Sequence, residues 1–170
     1  AENFLAEPAP RNTAPAIAWA TAVAARRDPE AACMVLPSDH FIGVPDAFRA
    51  AVSSALSGAR RGFLTTIGIR PTRPETGYGY IEVGGKIEGD VFEARRFVEK
   101  PSLEVAEGYV ASGKYLWNAG MFFYGARAML DAVAEHLPAI ARAVASDAPV
   151  PPGFVTLPSV SIDKGVMEKA

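Results

Sequence analysis

Asp39 stands directly past an apolar run, Cys33-Met34-Val35-Leu36, that stops at Pro37. In an open α/β sheet such a run reads as a buried strand, which puts Asp39 in the crevice at its carboxyl end, where these folds keep ligands. A carboxylate there is placed to hold a divalent cation against phosphate oxygens. The same residue also reads as a strand-end Asp that merely caps the next turn. Other polar clusters fall at strand ends or loops: Glu7 to Thr13, Tyr78-Gly79, Glu99-Lys100, Asn118 and Asp163. Each has a plain structural reading as well. Glu7 to Thr13 could be a proline-rich approach to a capped helix, and Glu99-Lys100 a solvated strand end. Asn118-Ala119-Gly120 could be a bulge, and Asp163 an acid favoured by a helix dipole. Taken together, separated acids, a lysine beside a glutamate and several glycines suit metal-assisted transfer on a phosphorylated, hydroxyl-rich substrate.

Other chemistries lack their parts. His40 beside Asp39 suggests a metal or a dyad, but neighbours on an extended chain point opposite ways. His136 is the only other histidine, too few for a histidine-based zinc site. There is no Gly-x-Ser-x-Gly elbow, no Walker A loop and no Gly-x-Gly-x-x-Gly turn. The formal net charge of -2 gives no case for nucleic-acid binding. The alanine-rich uncharged stretch between Arg11 and Arg26 is too short to span a bilayer, so no membrane partner is expected. One cysteine, Cys33, excludes an internal disulfide, fits a reducing, cytoplasmic setting, and reads as a buried structural thiol.

The elements that must position these groups follow from periodicity. Asn3 to Ala6 reads as a short strand. Asn12 or Thr13 can cap a helix that tolerates Pro15 in its first turn and ends near Arg27-Asp28-Pro29. Ala32 to Leu36 is the buried strand, Asp46 starts a helix ending near Gly58, and Phe63 to Ile67 is the next strand. Strand, helix, strand implies a right-handed parallel crossover. Arg70 to Tyr80 is a loop rich in Pro and Gly. Tyr80 to Val83 and Val91 to Val98 alternate around Gly84-Gly85 as antiparallel strands. A helix follows Ser102, Tyr115 to Tyr124 is an aromatic strand, and Ala126 to Ala145 is helical with a break at Pro138. Ser161 to Lys169 begins like a helix with an acid in its first turn.

Six strings in this order carry a resemblance. They are Glu7-Pro8-Ala9-Pro10-Arg11-Asn12-Thr13-Ala14-Pro15-Ala16, Leu36-Pro37-Ser38-Asp39-His40, Pro74-Glu75-Thr76-Gly77-Tyr78-Gly79-Tyr80-Ile81 and Phe97-Val98-Glu99-Lys100-Pro101. Trp117-Asn118-Ala119-Gly120-Met121-Phe122 and Ser161-Ile162-Asp163-Lys164-Gly165-Val166-Met167-Glu168-Lys169 complete the set. The chain resembles the bacterial mannose-1-phosphate guanylyltransferases of the sugar-nucleotidyltransferase superfamily from about Leu5 to Lys169. The resemblance implies a Rossmann-like α/β fold, a mixed sheet flanked by helices with an antiparallel sugar-binding part. It implies that mannose 1-phosphate attacks the α-phosphorus of GTP, giving GDP-mannose and pyrophosphate.

By the same likeness Asp39 and Asp163 would ligate Mg²⁺, and Lys100 would contact the sugar phosphate as the third catalytic residue. Tyr78, Gly79, Glu99 and Asn118 would face the sugar. Glu7, Pro8, Arg11, Asn12 and Thr13 would form the nucleotide loop, with Glu7 matching guanine's adjacent N1–H and N2–H₂ donors by its two carboxylate oxygens. The glycine-rich signature with which the family begins is not found here. The chain is therefore expected to be the later part of one catalytic domain over residues 1–170, inactive alone, its parent compatible with a homo-oligomer. Ala119 stands where relatives often carry Ser. Two other readings are a non-catalytic pyrophosphorylase-like domain for binding or assembly, and a metal-dependent glycosyltransferase. The first sits poorly with Asp39, Lys100 and Asp163 in one chain; the second leaves the Glu7 to Ala16 loop unexplained.

Overall fold

The computed structural model describes residues 4–170, which form two compact units. The expected strand over Asn3–Ala6 is not formed: residues 4–6 have no regular structure, and Asn3 lies outside the described residues. Among the described residues no helix is long and apolar enough to cross a membrane.

The first unit holds the chain up to Cys33 and again from Gly125. Helix α1 (Thr13–Arg27) buries Ile17, Ala18, Trp19 and Ala22, the small residues letting neighbouring backbones come close. Helices α4 (Ala126–His136) and α5 (Pro138–Val144) meet at Leu137, whose extended φ of -135° is what a following proline demands. The core gathers Met129, Val133, Ile140, Phe154, Ile162 and Val166, with the Trp19 and Phe154 rings 5.6 Å apart. The expected C-terminal helix is a short π-helical segment, Asp163–Met167, with Asp163 in its first turn.

The second unit runs from Met34 to Tyr124. Helix α2 (Pro45–Arg60) lays Ala55 and Ala59 on Ala119, Met121 and Phe123, with Phe48, Val52 and Ile67 closing the cluster. Strand β2 (Thr65–Ile69) runs antiparallel to β5 (Tyr115–Gly125), and β3 (Gly79–Glu88) runs antiparallel to both β4 (Val91–Glu99) and β5. Helix α3 (Leu103–Ser112), capped by Ser102, supplies Ala106 to a cluster with Tyr80 and Trp117. The α/β class read from the sequence is the class observed.

Sequence expectation and structure part at several places. Strand β1 (Ala32–Val35) was expected to be buried, yet Met34 is 48% and Leu36 is 41% exposed. The strand order β1-β5-β3-β4 puts β1 at an edge, and strand side chains project from the sheet faces, so they are covered only by an element packed on that face. Strands β1 and β2 each pair with β5, so the crossover does not join adjacent strands. The hairpin turns at Gly89 (φ 50°) rather than at Gly84-Gly85, which sit inside β3. A side chain at Gly84 would stand 2.5 Å from Glu93 Oε2, so this glycine serves close strand packing instead of a turn.

Candidate functional site

In the second unit, Tyr78, Gly79, Glu99, Lys100 and Asn118 come together at one end of the sheet. Gly79 pairs with Glu99 across the β3–β4 ladder, while Gly68 faces Asn118 across β2–β5. A Cβ built on Gly79 would lie 2.7 Å from Glu99 Oε2, 3.3 Å from Phe97 Cε1 and 3.4 Å from Asn118 Cβ. The missing side chain thus lets a carboxylate, a ring edge and the Asn118 side chain close in on the β3 backbone. That combination recognises a hydroxyl-bearing ring: the carboxylate accepts O–H bonds and the ring packs on C–H.

Lys100 continues from β4 with a positive φ of 50°, and its backbone N–H donates to Tyr78 O at 3.2 Å. Its Nζ stands 3.6 Å from Glu99 Oε1, with the lysine side chain 64% exposed. A left-handed backbone at a β-strand end costs a non-glycine residue free energy, and such strain gathers where a side chain must be aimed. On the other side of the strands, Tyr78 packs edge-on to Trp117 at 5.3 Å, and the Arg73 guanidinium lies over the Trp117 ring. Arg73 is held above its ordinary pKa first by its hydrogen bond to Glu75, then by that carboxylate's charge. Trp117 Nε1 is buried without a hydrogen-bond partner.

Asp39 lies on a turn after β1, exposed, at the mouth of a cavity of about 420 Å³ floored by Phe48, Ile67, Ala119 and Met121. His40 lines the same cavity. Residues 38–39 form a turn, so the extended-chain argument that Asp39 and His40 point apart does not apply to them. Pro37 Cγ stands 3.8 Å from a Cβ built on Gly120, so this turn rests on the β5 bulge that carries Asn118.

The first unit carries the remaining candidates. Glu7 and Pro8 are exposed on a loop, and Arg11 is half-buried with its Nε buried and without a hydrogen-bond partner. A buried cationic donor of this kind fits an anionic ligand. Asn12 adopts φ 63°, ψ -170°, a region nearly reserved for glycine, and its Oδ1 accepts from Thr13 N–H at 2.8 Å. Thr13 Oγ1 accepts the backbone N–H of Ile162 at 2.8 Å, and Ala14 N–H donates to Val160 O at 3.0 Å. The loop before α1 is thereby tied to the segment that carries Asp163, which is half-buried.

Among the described residues, no group of three His, Cys, Asp or Glu side chains forms a metal cage. Magnesium needs none where one or two carboxylates act with substrate phosphates, so Asp39 and Asp163 have chemistry that fits it.

Residues 1–147 match the family described as nucleotidyl transferase. The chain belongs to that family. This nucleotidyl transferase chain is 45% identical to a mannose-1-phosphate guanylyltransferase of Escherichia coli strain K12, over 99% of this chain and 39% of that protein. It is 47% identical to the xanthan biosynthesis protein XanB of Xanthomonas campestris pv. campestris strain B100, over 98% of the chain and 38% of the relative. A Thermus thermophilus crystal structure described as mannose-1-phosphate geranyltransferase superposes with a TM-score of 0.88 at 39% identity, covering 98% of this chain and 50% of that one. The chain thus spans about two fifths of the length of these curated relatives.

Sequence reasoning missed Thr66, Phe97 and the Gly120 N–H that turns back to Asn118. Thr66 looked like an ordinary strand threonine, and nothing in a linear reading places it against Asn118. Phe97 was quoted only as part of a string, and its ring edge beside Gly79 appears only once β3 and β4 are paired.

Proposed function

We propose that this chain is part of the catalytic domain of a mannose-1-phosphate guanylyltransferase, which joins mannose 1-phosphate to GTP and releases pyrophosphate. The observation that carries the reading is the convergence of Gly79, Glu99 and Asn118, with Lys100 next along the chain. The names of relatives at 45% and 47% identity support the sugar phosphate and the reaction class.

In this reading Glu99 accepts sugar O–H bonds beside Gly79, and Lys100 pairs its ammonium with the sugar phosphate. The phosphate oxygen attacks the α-phosphorus of GTP in line and pyrophosphate leaves, with no covalent enzyme intermediate. Asp39 and Asp163 would hold Mg²⁺, which supplies charge neutralisation on the phosphates. Arg11 directs its guanidinium at the nucleotide, and Glu7 reads guanine through paired N–H donors. Pro8, Asn12 and Thr13 shape that loop. Both units belong to one catalytic domain in a cytoplasmic enzyme.

The test is pyrophosphate release by the full-length protein with mannose 1-phosphate and Mg²⁺, comparing GTP, ATP, UTP and dTTP. Fastest turnover with GTP, lost in Asp39→Ala, is expected. A GTP preference untouched by Glu7→Gln would remove Glu7 as the base reader. No release with any nucleotide from folded protein would overturn the reaction.

A further inference from the structure

Asn118 sits where β5 leaves regular register with β2, the shift falling between Thr66 and Gly68. Gly120, at φ 66°, turns its backbone N–H back to donate to Asn118 Oδ1 at 3.1 Å. Thr66 Oγ1 lies 2.9 Å from the same Oδ1 and 2.9 Å from Met121 O. A backbone N–H can only donate, so the amide atom facing it must be the oxygen. That fixes which way the side chain is flipped. The threonine hydroxyl has one proton and faces two acceptors, so it shares that proton between Asn118 Oδ1 and Met121 O. With its oxygen accepting from the bulge and from β2, Asn118 meets its remaining neighbours through Nδ2, as a donor.

We infer that Thr66 is a positioning residue that, with the Gly120 N–H, locks the Asn118 amide so that the sugar site offers a donor there. This rests on the sugar-phosphate reading above. The consequence is a paired code beside Gly79: Glu99 can only accept when ionised, and the locked Asn118 offers the sugar only a donor. Two neighbouring hydroxyls of a pyranose satisfy both, one giving its proton to Glu99 and the other lending a lone pair to Asn118. A ring lacking either hydroxyl forms one of these two bonds fewer, and that is how such a site discriminates.

The lock is tested on ¹⁵N-labelled protein with Thr66→Val, Thr66→Ser and Asn118→Asp. Valine keeps the shape and removes the hydroxyl, serine restores it, and aspartate keeps the acceptor while deleting the donor. Without sugar, the Asn118 Nδ2–H order parameter is expected to be high in the parent and in Thr66→Ser, and reduced in Thr66→Val. Equal order in all three would overturn the lock. Mannose 1-phosphate affinity, by calorimetry, is expected to fall about tenfold in Thr66→Val and at least as far in Asn118→Asp, with Thr66→Ser within about twofold of the parent. Unchanged affinity in Asn118→Asp, or equal losses in the valine and serine variants, would overturn the donor assignment. Failure of the parent protein to bind mannose 1-phosphate would sink the sugar-phosphate reading instead, while the sugar-free arm still decides the lock.

Discussion

The hydroxyl of Thr13 accepts the backbone N–H of Ile162 at 2.8 Å, joining residues 149 apart in sequence. Ile162 is fully buried, so its N–H has no water to fall back on. Thr13→Val removes the acceptor at constant shape. The expected cost is about 1–3 kcal/mol of stability, read by denaturant unfolding, with Thr13→Ser recovering most of it. An unchanged midpoint for Thr13→Val would show that the bond carries no weight.

Gly79→Ala places a methyl 2.7 Å from Glu99 Oε2, against the carboxylate the sugar would use. The carboxylate is the far end of a flexible side chain and can move, so the fold is expected to survive. Mannose 1-phosphate binding should weaken by more than about tenfold, because the carboxylate position is lost. Calorimetric titration of the folded variant checks this, and parent-like affinity would count against the site.

Lys100 separates stability from binding. Its φ of 50° suits glycine better than any side chain bearing a Cβ. Lys100→Gly is expected to be more stable than Lys100→Ala by about 1 kcal/mol, while both lose sugar-phosphate affinity alike. Equal thermal midpoints for the two variants would argue that the backbone there is not strained.

Tyr115 provides a pH signature. Burial first, and then its hydrogen bond to Glu82 Oε2 at 3.1 Å, raise the phenol above its ordinary value. The folded value exceeds the unfolded one, so the phenol's contribution to stability is fully present below about pH 10. It is lost as pH rises through the folded value. Absorbance titration of tyrosinate should show Glu82→Gln lowering the Tyr115 transition without returning it to the ordinary value, since burial remains. A transition that does not move would remove Glu82 from the account.

Much of the architecture was legible because local chemistry dictates it. Pro138 had to break a helix, Ser102 had to cap one, and the Pro- and Gly-rich run over residues 70–78 could not be regular. The candidate residues were also legible one at a time, since carboxylates, a lysine and an amide at strand ends announce possible chemistry wherever they occur. Burial was less so. The run before Pro37 has the composition of a covered strand, and whether it is covered depends on what packs on the sheet face there.

The sequence by itself determined the residue types at the ends of the strands, the breaks between elements and the pattern shared with nucleotidyl transferases. Only the tertiary structure decided that Gly79 lets Glu99 and Asn118 approach one another, that Thr66 reaches Asn118, and that Thr13 holds Ile162. The reason is physical. A hydrogen bond or a Cβ-sized space depends on tenths of an ångström between strands and segments distant in sequence, whereas propensity and periodicity act only between near neighbours.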